Sequence, residues 1–246
     1  MTKRDRATLT SAAIAAITLS MPSMASAQAP TGVVIDARAS ESSPAQLAAA
    51  ASSVPDPLAP LAEPEPRPGE PSESMIRVMN WVLATHDNGD APYMIIDKVG
   101  AEVFVFDSVG QFMGKTPALV GSAIGDDSAP GVGDRELSNI PPEDRTTPAG
   151  RFVAKFGHAY GGRKVLWVDY ATSISLHPVI TANRKEKRQQ RLASPTPSDN
   201  RITYGCINVA ANFYKNVVSP LFTNTTGVVY ILPDTQPLNA IFLALR

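Results

Sequence analysis

From Tyr93 onward the sequence is a succession of short β-prone runs broken by turn residues, and this punctuation most constrains the fold. Met94–Asp97 and Glu102–Phe106 are joined by Lys98-Val99-Gly100-Ala101, and Gln111–Lys115 and Ala118–Gly121 continue as a meander. Residues 122–146 are rich in Gly, Pro and Asp and read as one long loop. Gly150–Phe156, Lys164–Asp169, Thr172–Leu176 and Val228–Leu232 supply further strands. Only two segments carry helical spacing. Met75, Val78, Met79 and Val82 recur on one face behind Ser74 as a cap. Phe213 and Val217 mark a second helix from about Ala210 to Val218, with Pro220 ending it. Many short strands and few helices predict a mainly β fold (mixed α/β).

The chain ahead of these runs has another composition. Lys3, Arg4 and Arg6 precede a small-residue apolar stretch, and Ala25-Ser26-Ala27 fits a cleavage site. Residues 1–27 therefore read as a signal peptide cleaved after Ala27, so the protein is expected to be exported to the periplasm or cell envelope. Residues 28–73, rich in Ala, Ser, Pro and Glu, offer too little apolar surface to offset ordering and read as a flexible linker. The folded domain is expected over 74–246. A formal net charge of -1 gives no footprint for nucleic acid. Gly114-Lys115-Thr116 lacks the upstream glycine of a phosphate loop, since Val109 stands there. Asp126, Asp127, Asp134 and Glu136 lack calcium-loop spacing and read as solvation of the long loop, and no zinc spacing occurs. No metal or cofactor is expected.

The single cysteine, Cys206, is unusual for an exported chain, where thiols are mostly paired. It reads either as a small buried hydrophobe or as a reactive thiol. Its setting, Thr203-Tyr204-Gly205-Cys206-Ile207-Asn208, places a glycine before the thiol and a helix soon after. Backbone amides at Tyr204, Gly205 and Cys206 could donate to a carbonyl oxygen that gains charge. A thiol nucleophile needs a base, and three histidines are present. His177 ends the apolar strand Ile174-Ser175-Leu176-His177-Pro178; His158 sits in a Gly-rich turn and His86 in a polar stretch. His177 is the favoured base, with a backbone-bonded strand-end histidine as the other reading. Trp167, on the preceding strand, is a candidate to line the cleft.

These residues carry a resemblance. Thr203–Asn208 resembles the Ser/Thr-His-Gly-Cys-hydrophobic-Asn/Arg motif of the L,D-transpeptidase (YkuD-type) catalytic domain family. His177 matches the family's upstream histidine, and Thr147-Pro148-Ala149-Gly150-Arg151-Phe152 resembles its Thr-Pro-x-Gly-x-Phe segment. The resemblance covers about residues 93–233. It implies a β-sandwich or open barrel with an N-terminal helix and a helix after the nucleophile. It also implies peptidoglycan stem peptides as substrate. Cys206 would attack the carbonyl before the terminal D-alanine, and His177, oriented by a backbone carbonyl, would move the proton. The thioester would pass to an amine or, in a carboxypeptidase, to water; a non-catalytic envelope-binding module is the reading of another class. Thr203, Gly205 and Tyr204 would shape the oxyanion turn, and Asn208 and Arg201 would contact substrate. The sequence departs from the pattern at Tyr204, which replaces a histidine, and at Pro178. It also carries an insertion between His177 and Cys206 with the basic run 184–191. That run reads either as a lid contacting an acidic peptide or wall, or as a solvated polar segment.

Overall fold

The computed structural model describes residues 70–245. The expected signal peptide, and all of the expected linker up to residue 69, lie outside the described residues. The first element is helix α1 (Glu73–Thr85). Its cap is Ser72 and not Ser74, because Ser72 is extended and its hydroxyl accepts the Met75 N–H at 3.1 Å. Met75, Val78 and Val82 form the buried stripe, as the spacing predicts. His86 closes the helix in the left-handed region, φ 53, where its N–H reaches the Val82 carbonyl.

Nine strands follow: β1 (Tyr93–Asp97), β2 (Glu102–Phe106), β3 (Phe112–Gly121), β4 (Gly150–His158), β5 (Lys164–Asp169), β6 (Ile174–Pro178), β7 (Arg201–Thr203), β8 (Ile207–Val209) and β9 (Thr226–Ile231). Their order is β2-β1-β9-β4-β5-β6-β8-β3-β7, and β3 also pairs with β2. Eight strands thus close into a ring, which removes their free edges, and β7 hangs on β3. The mainly β expectation holds, with a helix at the start and another after Cys206. The two short runs expected at 111–121 are one strand. Its first half pairs with β2 as far as Pro117, which has no N–H to continue that ladder, and from Ala118 it pairs with β8.

Alternation decides what each strand buries. Met94, Ile96, Val103, Val105, Ala118, Ala154, Leu166, Leu176, Ile207 and Val229 pack together inside the ring. The chain after β8 joins them: α3 (Ala211–Phe213) passes through a π turn (Tyr214–Val218) into α4 (Ser219–Phe222), burying Tyr214, Val218 and Phe222. Pro220 lies within this helical segment rather than ending it, since the prolyl residue falls in the first turn of α4. A second core lies outside, where Tyr93, Ile95, Phe104, Phe106, Val228 and Tyr230 meet α1 and α5 (Leu238–Ile241). β1, β2 and β9 are buried on both faces, which is why they read as unbroken apolar runs. No helix among the described residues is long and apolar enough to cross a membrane.

The long loop between β3 and β4 is held by buried charges. The Lys98 ammonium donates to the Gly125 carbonyl at 2.6 Å, Asp126 at 2.9 Å and the Thr147 carbonyl at 2.9 Å, which uses its three N–H groups. Asp126 is not solvated as its neighbours suggest. It is 4% exposed and also accepts from the N–H groups of Asp234, Thr235 and Gln236 and from the Thr235 hydroxyl. Burial alone would raise its pKa, but these bonds outweigh burial and hold its carboxyl well below the usual carboxylate range. The stability it contributes is therefore fully present above the ordinary carboxylate pKa and is lost only as pH falls through the lowered one. Asp126→Ala leaves Lys98 only the Asp234 carboxylate, at 3.5 Å, as an ion-pair partner and unpairs the N–H groups of residues 234–236, and should cost about 3 kcal/mol in urea unfolding at pH 7. That deficit should shrink as both proteins are taken below about pH 4.

Candidate active site

Strands β6 and β8 run parallel, with Leu176 beside Ile207 and His177 beside Asn208. Alternation sends Leu176 and Ile207 into the ring, so Ser175, His177, Asn208 and the preceding Cys206 share the outer face. Cys206 Sγ lies 3.6 Å from the Ser175 hydroxyl and donates to the Ser173 carbonyl at 3.6 Å. Ser173 is in the left-handed region, φ 59, and its own hydroxyl bonds the Gly133 carbonyl at 3.0 Å. The long loop therefore supports the turn that faces the thiol.

The turn before Cys206 requires its glycine. Gly205 has φ +123, and a Cβ there would sit 2.7 Å from both the Thr146 carbonyl oxygen and Ile174 Cδ1. Two buried threonines clamp it. Thr203 Oγ1 donates to the Cys206 carbonyl at 2.7 Å and accepts the Gly205 N–H at 3.1 Å. Thr147 Oγ1 donates to the Gly205 carbonyl at 2.7 Å and accepts the Gly121 N–H at 2.9 Å. The Gly205 amide is thus committed to Thr203. The hydrogen bonds of the turn engage neither the Tyr204 nor the Cys206 N–H. The Tyr204 ring lies under the Arg145 guanidinium, 4.3 Å from ring centre to Cζ.

His177 is 8% exposed. Its Nδ1 bonds the Pro178 carbonyl at 2.8 Å, and its Nε2 meets Asn208 Nδ2 at 3.1 Å. A carbonyl can only accept, so Nδ1 carries the hydrogen. Burial lowers the His177 pKa below the ordinary imidazole value; the Pro178 bond opposes this, and the charges of Arg163 and Arg188 add to it. No hydrogen bond joins Sγ to the ring. The two are diagonal neighbours across β6 and β8, each resting on its own partner.

The other expected site residues divide. Trp167 is the register partner of Ser175 and so shares this outer face; it stacks edge-on with Tyr170 at 5.1 Å and lies against Gly157. Asn208 is buried and touches His177 directly. Arg201 is placed elsewhere, bonded to Asp234 at 2.6 Å and to the carbonyls of Lys98 and Ala123. Sequence reasoning did not single out Ser175, although its alternation with His177 puts both on one face. It quoted Thr147 only within a motif. It gave no sign that Arg188, in the basic insertion, turns inward to Asn208 Oδ1 at 2.8 Å. No group of three or more His, Cys, Asp or Glu among the described residues is arranged to hold a metal. A cleft of about 710 Å³ between the start of α1 and residues 232–239 includes none of these side chains.

No family model matches the chain, and no curated protein matches it. Among solved structures it is similar to an L,D-transpeptidase from Xylanimonas cellulosilytica, at 11% identity and TM-score 0.36 over 59% of this chain and 62% of that one. An L,D-transpeptidase from Mycobacterium smegmatis overlaps at 15% identity and TM-score 0.33 over 57% and 58%. The helical cell shape determining protein Pgp2 (a K307A mutant) from Campylobacter jejuni overlaps at 12% identity and TM-score 0.38 over 68% and 58%. The chain spans about three fifths of the length of these structures. At such overlap the site is judged on its own geometry.

That geometry makes the turn fragile at defined points. Gly205→Ala should lower stability by about 2 kcal/mol or more, through positive φ and the clash with the Thr146 carbonyl. Thr147→Val should cost about 2 kcal/mol by leaving a buried N–H and carbonyl unpaired. Denaturant midpoints of the folded variants measure both.

Proposed function

We propose that Cys206 is the nucleophile of an acyl transfer on peptidoglycan stem peptides, with His177 as its base, in the manner of an L,D-transpeptidase. One observation carries the reading: the thiol and the imidazole share one face of two paired strands, beside a glycine turn whose Tyr204 and Cys206 amides are not otherwise engaged. The residues that form this arrangement are those of the motif resemblance.

In this reading the Cys206 sulfur bonds to the carbonyl carbon preceding the terminal D-alanine as its S–H proton passes to His177 Nε2. The Tyr204 and Cys206 amides stabilise the oxyanion. Collapse breaks the peptide bond, and the amine leaves with the proton from His177. An acceptor amine then attacks the thioester and regenerates the thiol; with water as acceptor the product is a shortened stem. Ser175 and the Ser173 carbonyl hold the thiol at rest and release it to His177 for reaction. Arg184, Lys185 and Lys187 of the insertion are exposed, and they are the groups proposed to meet an acidic wall polymer in the cell envelope.

The test uses purified protein with muropeptides and intact mass. Wild type should form a covalent adduct on Cys206 with a carbapenem or a stem peptide, and Cys206→Ala should form none while keeping its fold. His177→Ala should slow adduct formation by about 10²–10⁴-fold. Cross-linked dimers or exchanged terminal residues support transfer, and shortened stems alone assign water as acceptor. Absence of any adduct in folded wild type would sink the acyl-enzyme reading and favour a binding module.

A further inference from the structure

The basic insertion turns one side chain to the residues around His177. Arg188, in α2 (Arg188–Leu192), has a side chain only 12% exposed. Its Nε meets Glu186 at 2.5 Å and its Nη1 donates to Asn208 Oδ1 at 2.8 Å. Asn208 Nδ2 in turn meets His177 Nε2, and His177 Nδ1 meets the Pro178 carbonyl.

The direction of this chain is forced at its outer end. A guanidinium has donors and no acceptor, so the Asn208 oxygen must face Arg188 and the amide nitrogen must face the imidazole. That nitrogen also only donates, so Nε2 must offer a lone pair. Were the amide reversed, N–H would point at N–H on the Arg188 side. Were His177 protonated at Nε2, the same conflict would arise on the imidazole side. Glu186 holds the guanidinium in place, which completes the brace.

We infer that Arg188 is a positioning residue for the base: by fixing the Asn208 amide it keeps an N–H donor on His177 Nε2, so that the Nδ1–H ring set by the Pro178 carbonyl is held with Nε2 an unprotonated lone-pair acceptor. The inference rests on the reading of Cys206 and His177 as the reacting pair and says how the base is kept ready. It also gives the proton a direction. Once Nε2 takes the thiol proton it faces a donor instead of an acceptor, so the proton is passed to the leaving amine. The charged and titratable groups around the ring are Arg163, ahead of β5, Arg188 on α2 and Cys206 at β8, with Glu186 behind Arg188.

The experiment is nitrogen-resolved NMR of the full chain with labelled histidine, followed through pH. Wild type should show a protonated Nδ1 and an unprotonated Nε2, with a His177 midpoint below the free imidazole value near 6.5. Arg188→Lys, which also only donates, should keep the tautomer. Arg188→Leu should free the Asn208 amide to turn its oxygen toward Nε2, which favours the imidazolium, and so raise the midpoint. Arg188→Gln should do the same and stands in if the leucine variant does not fold, because its amide can present either group. In an Asn208→Leu background the change at Arg188 should have much less effect. An unchanged midpoint in Arg188→Leu or Arg188→Gln overturns the inference. So does an equal rise with and without Asn208, which would make Arg188 a distant charge only. These spectra do not depend on turnover: a failed adduct assay with the expected midpoint shifts would remove the acyl-transfer reading and leave the amide lock standing.

Discussion

The parallel pairing of β6 with β8 is the contact on which the site depends. It sets His177 beside Asn208 and brings Ser175 to the thiol of Cys206, all on the face turned away from the ring. Parallel neighbours cannot be joined by a tight turn; they need a crossover of a dozen residues or more. The chain between Pro178 and Ile207 is that crossover, and it contains α2, β7 and the Gly205 turn. The basic run is thus part of the connection that the pairing demands. This is why one of its arginines can reach the amide next to His177, while Arg184, Lys185 and Lys187 remain outside.

Around that pairing, two kinds of support act at different ranges. Inside the ring, apolar residues from the strands and from the helical segment after β8 fix where the outer face points. Outside it, hydrogen bonds with defined direction fix His177 and the turn before Cys206. Thr147 and Thr203 each donate once and accept once, and together they hold the Gly205 turn from two sides. The Lys98, Asp126, Asp234 and Arg201 network holds the loop that carries Thr146 and Thr147. The turn before Cys206 is in this way connected to buried charges in a loop far along the sequence.

The chemistry of the arrangement lies in the occupied lone pairs. At rest the Cys206 sulfur and the His177 Nε2 each have a partner, and neither is the other. In the proposed reaction both would have to exchange partners on that one face. Because Nδ1 is tied to the Pro178 carbonyl, the ring keeps its tautomer during that exchange. Pro178 leaves this carbonyl available, since proline lacks only the N–H.

Much of this was legible in the sequence because it is local. The short β-prone runs gave the strands except β7 and β8, the apolar stripe gave α1, and Gly205 before Cys206 marked a turn. Alternation along Ile174–Pro178 alone separates Leu176 from Ser175 and His177. The roles of Arg188, Arg201 and Asp126 were not legible, because charged residues in loops read as solvated until their partners are known. Those partners lie far along the chain: Arg188 meets Asn208, Arg201 meets Asp234, and Asp126 meets Lys98 and the segment after β9. Local spacing determined which residues share a face. Only ring closure and the β6–β8 crossover decided which distant charges are buried beside them, because that depends on where the chain returns and not on the pattern it carries.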